Sequence, residues 1–68
     1  MTNKVKEIRE FNSLTQEQLA QKVNVSRQSI ISIEKGHYIP TTLLTLKIAN
    51  VLNVTTEELF KLDKTDWR

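Results

Sequence analysis

Residues 15–35 hold two short helical patterns joined only by Asn24-Val25-Ser26, and this join constrains the fold more than any other feature of the chain. Two helices linked so briefly must meet at a steep angle. The flanking residues agree with that geometry. Thr15 is placed as the N-cap of a helix over Gln16–Val23, with Gln18 three residues on in a capping-box arrangement. Ser26 caps a second helix from Arg27 to about Lys35, and Gly36 stops it. Leu19, Ala20 and Val23 share one face of the first helix, and Ile30 and Ile33 mark the buried side of the second. Ala20 is small where a crossing helix must come close. Asn24 falls where the turn needs a left-handed backbone, which Asn tolerates better than most residues. Val25 and Ile30 fill the wedge between the two helices.

Helical periodicity continues on both sides of this pair. An earlier helix runs from about Asn3 to Phe11, where Val5, Ile8 and Phe11 recur at threes as one apolar stripe, and Asn12-Ser13 ends it. His37-Tyr38-Ile39-Pro40 forms a loop. Thr41 caps a fourth helix reaching about Leu52, and Asn53-Val54 turns the chain. Thr55 and Glu58 make a second capping box, opening a short fifth helix through about Lys61. The expected fold is all-α: five helices in one domain over 1–62, with a short polar tail at 63–68. The tail carries Trp67 and is either without fixed structure or a short C-terminal strand, since Phe60 and Leu62 alternate.

Composition narrows the function. A chain of 68 residues is one domain. It buries only about 60% of its unfolded surface, so its stability is marginal. There is no Cys to staple it, so a helical core must hold it, with dimerisation as a further support. The net charge of +2 permits a nucleic-acid partner without demanding one. No apolar run approaches the ~18 residues of a membrane span, and the N-terminus lacks the apolar stretch of a signal peptide. Absence of Cys suits a reducing cytoplasm, where we expect the chain to work. Catalysis needs convergent titratable groups in a pocket. One His and no clustered carboxylates offer no such set, so we expect no enzyme, metal, cofactor or small-molecule substrate.

On a wheel of about 100° per residue, the third helix turns Ile30 and Ile33 one way and Gln28, Ile31 and Ser32 the other, with Arg27 at the rim. That outer face carries no acidic residue. Arg can bond guanine and Gln can bond adenine in bidentate fashion, and Ile31 can meet a thymine methyl. The helix N-terminus at Ser26 offers backbone N–H groups to a phosphate, and Gln16, opening the second helix, is placed to reach the DNA backbone. Each residue also has a plainer reading. Gln28 and Arg27 could be solvated surface residues, and Ile31 a stray exposed apolar. Their convergence on one face favours DNA contact.

The run Thr15-Gln16-Glu17-Gln18-Leu19-Ala20-Gln21-Lys22-Val23-Asn24-Val25-Ser26-Arg27-Gln28-Ser29-Ile30 resembles the helix-turn-helix of the phage-repressor and Cro family, the XRE-type regulators. The resemblance extends through Ile33-Glu34-Lys35-Gly36, Tyr38-Ile39-Pro40 and Leu46-Lys47-Ile48-Ala49 to Val54-Thr55-Thr56-Glu57-Glu58-Leu59-Phe60, nearly the whole chain. It is strongest to the very short, single-domain repressors. It implies five helices, with the third in the major groove of operator DNA. It assigns Gln16 to phosphate and Arg27, Gln28 and Ser32 to bases; beside them we count Ser29 as a further DNA-contact residue. Lys35, His37 and Tyr38 fall in a loop that touches the backbone in the family. Arg9 and Glu34 match a charged pair tying the first helix to the third. The chain departs from the family at Asn24, usually Gly, at Thr42, usually Leu, and at Thr45, usually apolar.

The fourth helix carries more apolar residues than one core face needs. We assign Leu46, Ala49 and Leu52 to the core. Leu44, Ile48 and Val51 form a second stripe, which is either buried on a second side of the monomer or is a dimer interface joined by Phe60, Leu62 and Trp67. We favour the dimer, because so small a domain has little else to cover the stripe. The expectation is a transcriptional regulator, a repressor rather than an activator, acting as a homodimer on double-stranded DNA. The alternative is an antitoxin or other partner-binding module that also binds DNA. The short tail after Leu62 leaves little chain for holding a toxin.

Overall fold

The structure is a computed structural model and describes residues 1–68. In chain order it comprises β1 (Thr2–Asn3), α1 (Val5–Phe11), α2 (Gln16–Val23), α3 (Arg27–Glu34), α4 (Thr42–Leu52), α5 (Thr56–Leu59), β2 (Phe60–Lys61) and a single-turn 3-10 helix (Lys64–Trp67). No helix is long and apolar enough to cross a membrane.

Four of the helices start where a side-chain oxygen accepts an otherwise unpaired N–H of the first turn. Thr15 accepts from Gln18 N–H at 3.0 Å while the Gln18 side chain accepts from Thr15 N–H at 2.8 Å, a complete capping box. Ser26, Thr41 and Thr55 cap α3, α4 and α5 in the same way. At Thr55 only the forward bond forms, so the second capping box is half made. Four helix ends leave through left-handed residues. Asn24 sits at φ 60°, ψ 50° and Asn53 at φ 59°, ψ 45°, while Ser13 takes φ 59° after α1 and Gly36 φ 77° after α3. The Asn24 turn is closed by Val25 N–H donating to Ala20 C=O at 3.0 Å.

The core gathers side chains from every α-helix: Val5 of α1, Leu19, Ala20 and Val23 of α2, Ile30 and Ile33 of α3, four residues of α4, and Leu59 of α5. Each fully buried Leu, Ile or Val contributes about 1.5–3 kcal/mol relative to exposure. No one helix supplies enough of them, so the five are interdependent.

Several expectations are corrected here. The α4 residues in the core are Leu44, Ile48, Ala49 and Leu52, whereas Leu46 is 54% exposed. Leu44 and Ile48 are therefore core and not dimer surface; Val51 is half-buried against the same cluster. The inward stripe follows the i, i+4, i+8 row of 44, 48 and 52, along which α4 meets α2. Phe11 is 88% exposed, because Ile8 and Arg9 rather than Phe11 continue the inward face of α1 begun by Val5. The fifth helix stops at Leu59 instead of Lys61. Phe60–Lys61 there turns extended and pairs antiparallel with Thr2–Asn3, with Thr2 opposite Lys61 and Asn3 opposite Phe60. The helical pattern assigned to Asn3 thus yields to a strand. The segment after Leu62 is ordered by Asp63, which caps the 3-10 helix.

Candidate nucleic-acid interface

The site is built on α3, and its orientation follows from what each end of that helix is tied to. Ile30 and Ile33 are fully buried, so the opposite side must face out. Arg27 and Gln28 are exposed there, and Ile31 and Ser32 are half-buried on the flanks. At the N-terminal end, Ser26 Oγ accepts from Ser29 N–H at 3.1 Å and lies 3.0 Å from Ser29 Oγ. Ser26, Gln28, Ser29, Ser32 and Tyr38 together line a shallow depression of about 290 Å³. Five of the sequence-selected residues thus meet on one surface. Lys35 and His37 are exposed beyond the C-terminal end of α3, where His37 N–H donates to Ser32 C=O at 2.9 Å.

The single carboxylate of α3, Glu34, is turned away from this surface. Arg9 Nε donates to Glu34 Oε2 at 2.7 Å and Arg9 Nη2 to Oε1 at 3.2 Å, while Arg9 Nη1 donates to Leu14 C=O at 2.8 Å. The two side chains are only 8% and 4% exposed, so the pair is a buried link rather than a solvated one. Glu34 holds the Arg9 guanidinium above its ordinary pKa through these bonds, against the opposing effect of burial. With Glu34 drawn onto Arg9, the outer face of α3 carries no carboxylate.

Two features escaped the sequence. Gln16 is half-buried, and its Nε2 donates to Glu34 Oε1 at 3.1 Å, so Glu34 joins α1, α2 and α3 at one point. Asn3 Nδ2 donates to the Ile33 carbonyl at 2.9 Å. Neither bond has a local signature, since the partners lie 18 and 30 positions apart.

A family profile described as Helix-turn-helix matches residues 5–59 of the chain. The chain belongs to this family. Similar proteins agree with the assignment. One from Methanocaldococcus jannaschii, named an HTH-type transcriptional regulator, is 52% identical over 60 residues, covering 88% of this chain and 91% of its own. Another from Bacillus subtilis, with the same kind of name, is 44% identical over 64 residues, covering 94% and 97%. The crystal structure of the restriction-modification controller protein C.AhdI from Aeromonas hydrophila superposes with a TM-score of 0.76 at 30% identity, over 82% of this chain and 85% of that one. The names of the two relatives describe regulators rather than enzymes. Within the family frame, α2 and α3, joined by Asn24-Val25-Ser26, are the helix-turn-helix pair.

Proposed function

We propose that this chain is a sequence-specific DNA-binding transcriptional repressor that occupies a palindromic operator as a homodimer. The observation that carries the reading is the polarity of α3: Ile30 and Ile33 inward, Glu34 withdrawn onto Arg9 and Gln16, and Arg27 and Gln28 outward. In the major groove Arg27 bonds a guanine, Gln28 an adenine, Ser32 a base edge, and Ile31 meets a thymine methyl. Ser26, Ser29, Lys35, His37 and Tyr38 hold the backbone and set register. Gln16 uses one amide N–H on Glu34 and keeps the second for a phosphate.

The dimer surface lies on the outward side of α4. Leu43 and Leu46 are 64% and 54% exposed, with Ile39, Leu62 and Trp67 also bare. Ile39, Leu46 and half-buried Phe60 border one hollow, and we take them as the centre of the dimer patch. A two-fold dimer sets its reading helices about 34–36 Å apart, one turn of DNA. A dimer seated over a promoter excludes polymerase, and that mode of repression needs no surface beyond the reading and dimer faces.

The test is selection of bound duplexes from a random library, followed by titration of the winner. An enriched inverted repeat is expected. Arg27→Ala and Gln28→Ala should each weaken binding to it by about 1–3 kcal/mol with the fold intact. Binding by both variants equal to the parent's refutes this reading face.

A further inference from the structure

We propose that Asn3 is a positioning residue for DNA reading, holding the C-terminal end of α3 to the two-stranded ribbon so that the ribbon sets where the reading face lies. The inference rests on the DNA-reading role proposed above. Its basis is a side chain used at both ends. Asn3 Nδ2 donates to the Ile33 carbonyl at 2.9 Å, and Asn3 Oδ1 accepts from Val5 N–H, an unpaired first-turn donor of α1, at 3.1 Å. The two bonds fix the amide's orientation, since one end must accept and the other donate. The Asn3 backbone is itself held. It lies opposite Phe60 in the ribbon, and the next residue, Lys4, donates its N–H to Leu59 C=O at 2.8 Å.

The recipient carbonyl matters because of its neighbours. Ile33 follows Ser32 of the reading face and precedes Glu34, so backbone and side-chain ties meet at the same end of the helix. A shift of about 1 Å at Ile33 moves Ser32 by nearly as much, beyond the roughly 0.5 Å tolerance of a preorganised binding group. Backbone contacts tolerate such a shift better, because they follow charge rather than base edges. The tether therefore acts on the ratio of specific to non-specific affinity. Through β2 it also connects α3 to Phe60, on the proposed dimer surface.

Asn3→Asp and Asn3→Ser separate the two bonds. Aspartate still accepts from Val5 N–H and suits a helix N-terminus, but it presents an acceptor to the Ile33 carbonyl. Serine can cap Val5 and is too short to reach Ile33. Both variants should lose about tenfold in affinity for the selected operator, the size of one weakened base contact. Affinity for random duplex should stay within about threefold, that margin covering the added charge of aspartate. Without DNA, hydrogen exchange at the Gly36 and His37 amides, which donate to Ile33 and Ser32 carbonyls, should quicken. A merely structural Asn3 would lower the melting temperature and weaken both affinities together. An unchanged affinity ratio with unchanged exchange overturns the proposal. A parent protein without sequence preference would end the operator reading instead, and the exchange comparison, which uses no DNA, would then decide the tether by itself.

Discussion

Replacing Arg9 with methionine keeps most of the aliphatic stem and removes the charge together with its N–H donors. The Glu34 carboxylate, 4% exposed, then loses its two guanidinium bonds at 2.7 and 3.2 Å and keeps only the Gln16 amide at 3.1 Å. The Leu14 carbonyl loses its donor as well. Breaking one side of a buried pair costs about 3–5 kcal/mol, because the stranded charge remains desolvated. At roughly 0.05–0.15 kcal/mol per residue, a chain of 68 residues has about 3–10 kcal/mol of stability in all. Arg9→Met should therefore remove a third or more of it. Urea titration followed by far-UV circular dichroism measures this directly. The double variant Arg9→Met with Glu34→Leu removes both charges and should be more stable than Arg9→Met, giving a coupling of about 2 kcal/mol or more in the cycle. Single losses below about 1 kcal/mol, adding without coupling, would mean that the pair behaves as a solvated one and that the reasoning from burial is wrong.

Leu46→Lys should shift the protein to monomer in sedimentation while leaving its helicity unchanged, whereas Ile48→Ala should cost about 2–5 kcal/mol of stability; the reverse pattern would restore Ile48 to the surface. Asn24→Ala should cost about 1–2 kcal/mol in thermal unfolding because the left-handed backbone crowds a Cβ, and Asn24→Gly should match or exceed the parent; equal stability of the alanine variant would contradict the φ of 60°. The Thr65 hydroxyl, and after it the Met1 ammonium, hold the Asp63 carboxyl down from 3.8 to about 2. A depressed carboxyl stabilises above its ordinary value and loses that effect as pH falls toward the folded one, so Trp67 emission should hold above about pH 4 and change between 4 and 2. A flat signal across that range, or the same change in Asp63→Asn, would dissociate Asp63 from the tail's order.

The local punctuation of this chain was legible because its physics is local. A threonine or serine oxygen satisfies an N–H three residues away, and Asn24 adopts a left-handed turn whatever packs beyond it. The outward side of α3 followed from the same kind of argument, since Ile30 and Ile33 are its only fully buried residues and lie on one row. The α4 assignment failed for an equally definite reason. Its sequence Thr42-Leu43-Leu44-Thr45-Leu46-Lys47-Ile48-Ala49-Asn50-Val51-Leu52 is apolar on most sides, so a period-of-three stripe and a period-of-four stripe compete and only the helices packed on it, α2 and α5, choose between them. Phe11 misled in the same direction, as an apolar residue at helical spacing that nothing covers.

The amino-acid order alone determined where α2, α3 and α4 begin and end, that only a three-residue turn separates α2 from α3, and which side of α3 is turned outward. Tertiary structure decided which leucines of α4 turn inward, that Asn3 and Phe60 pair as strands, and that Gln16 and Asn3 anchor α3. The division follows the range of the forces. Caps and turns are closed by groups a few residues apart, whereas a ribbon, a core face or a buried ion pair exists only after distant segments have come together.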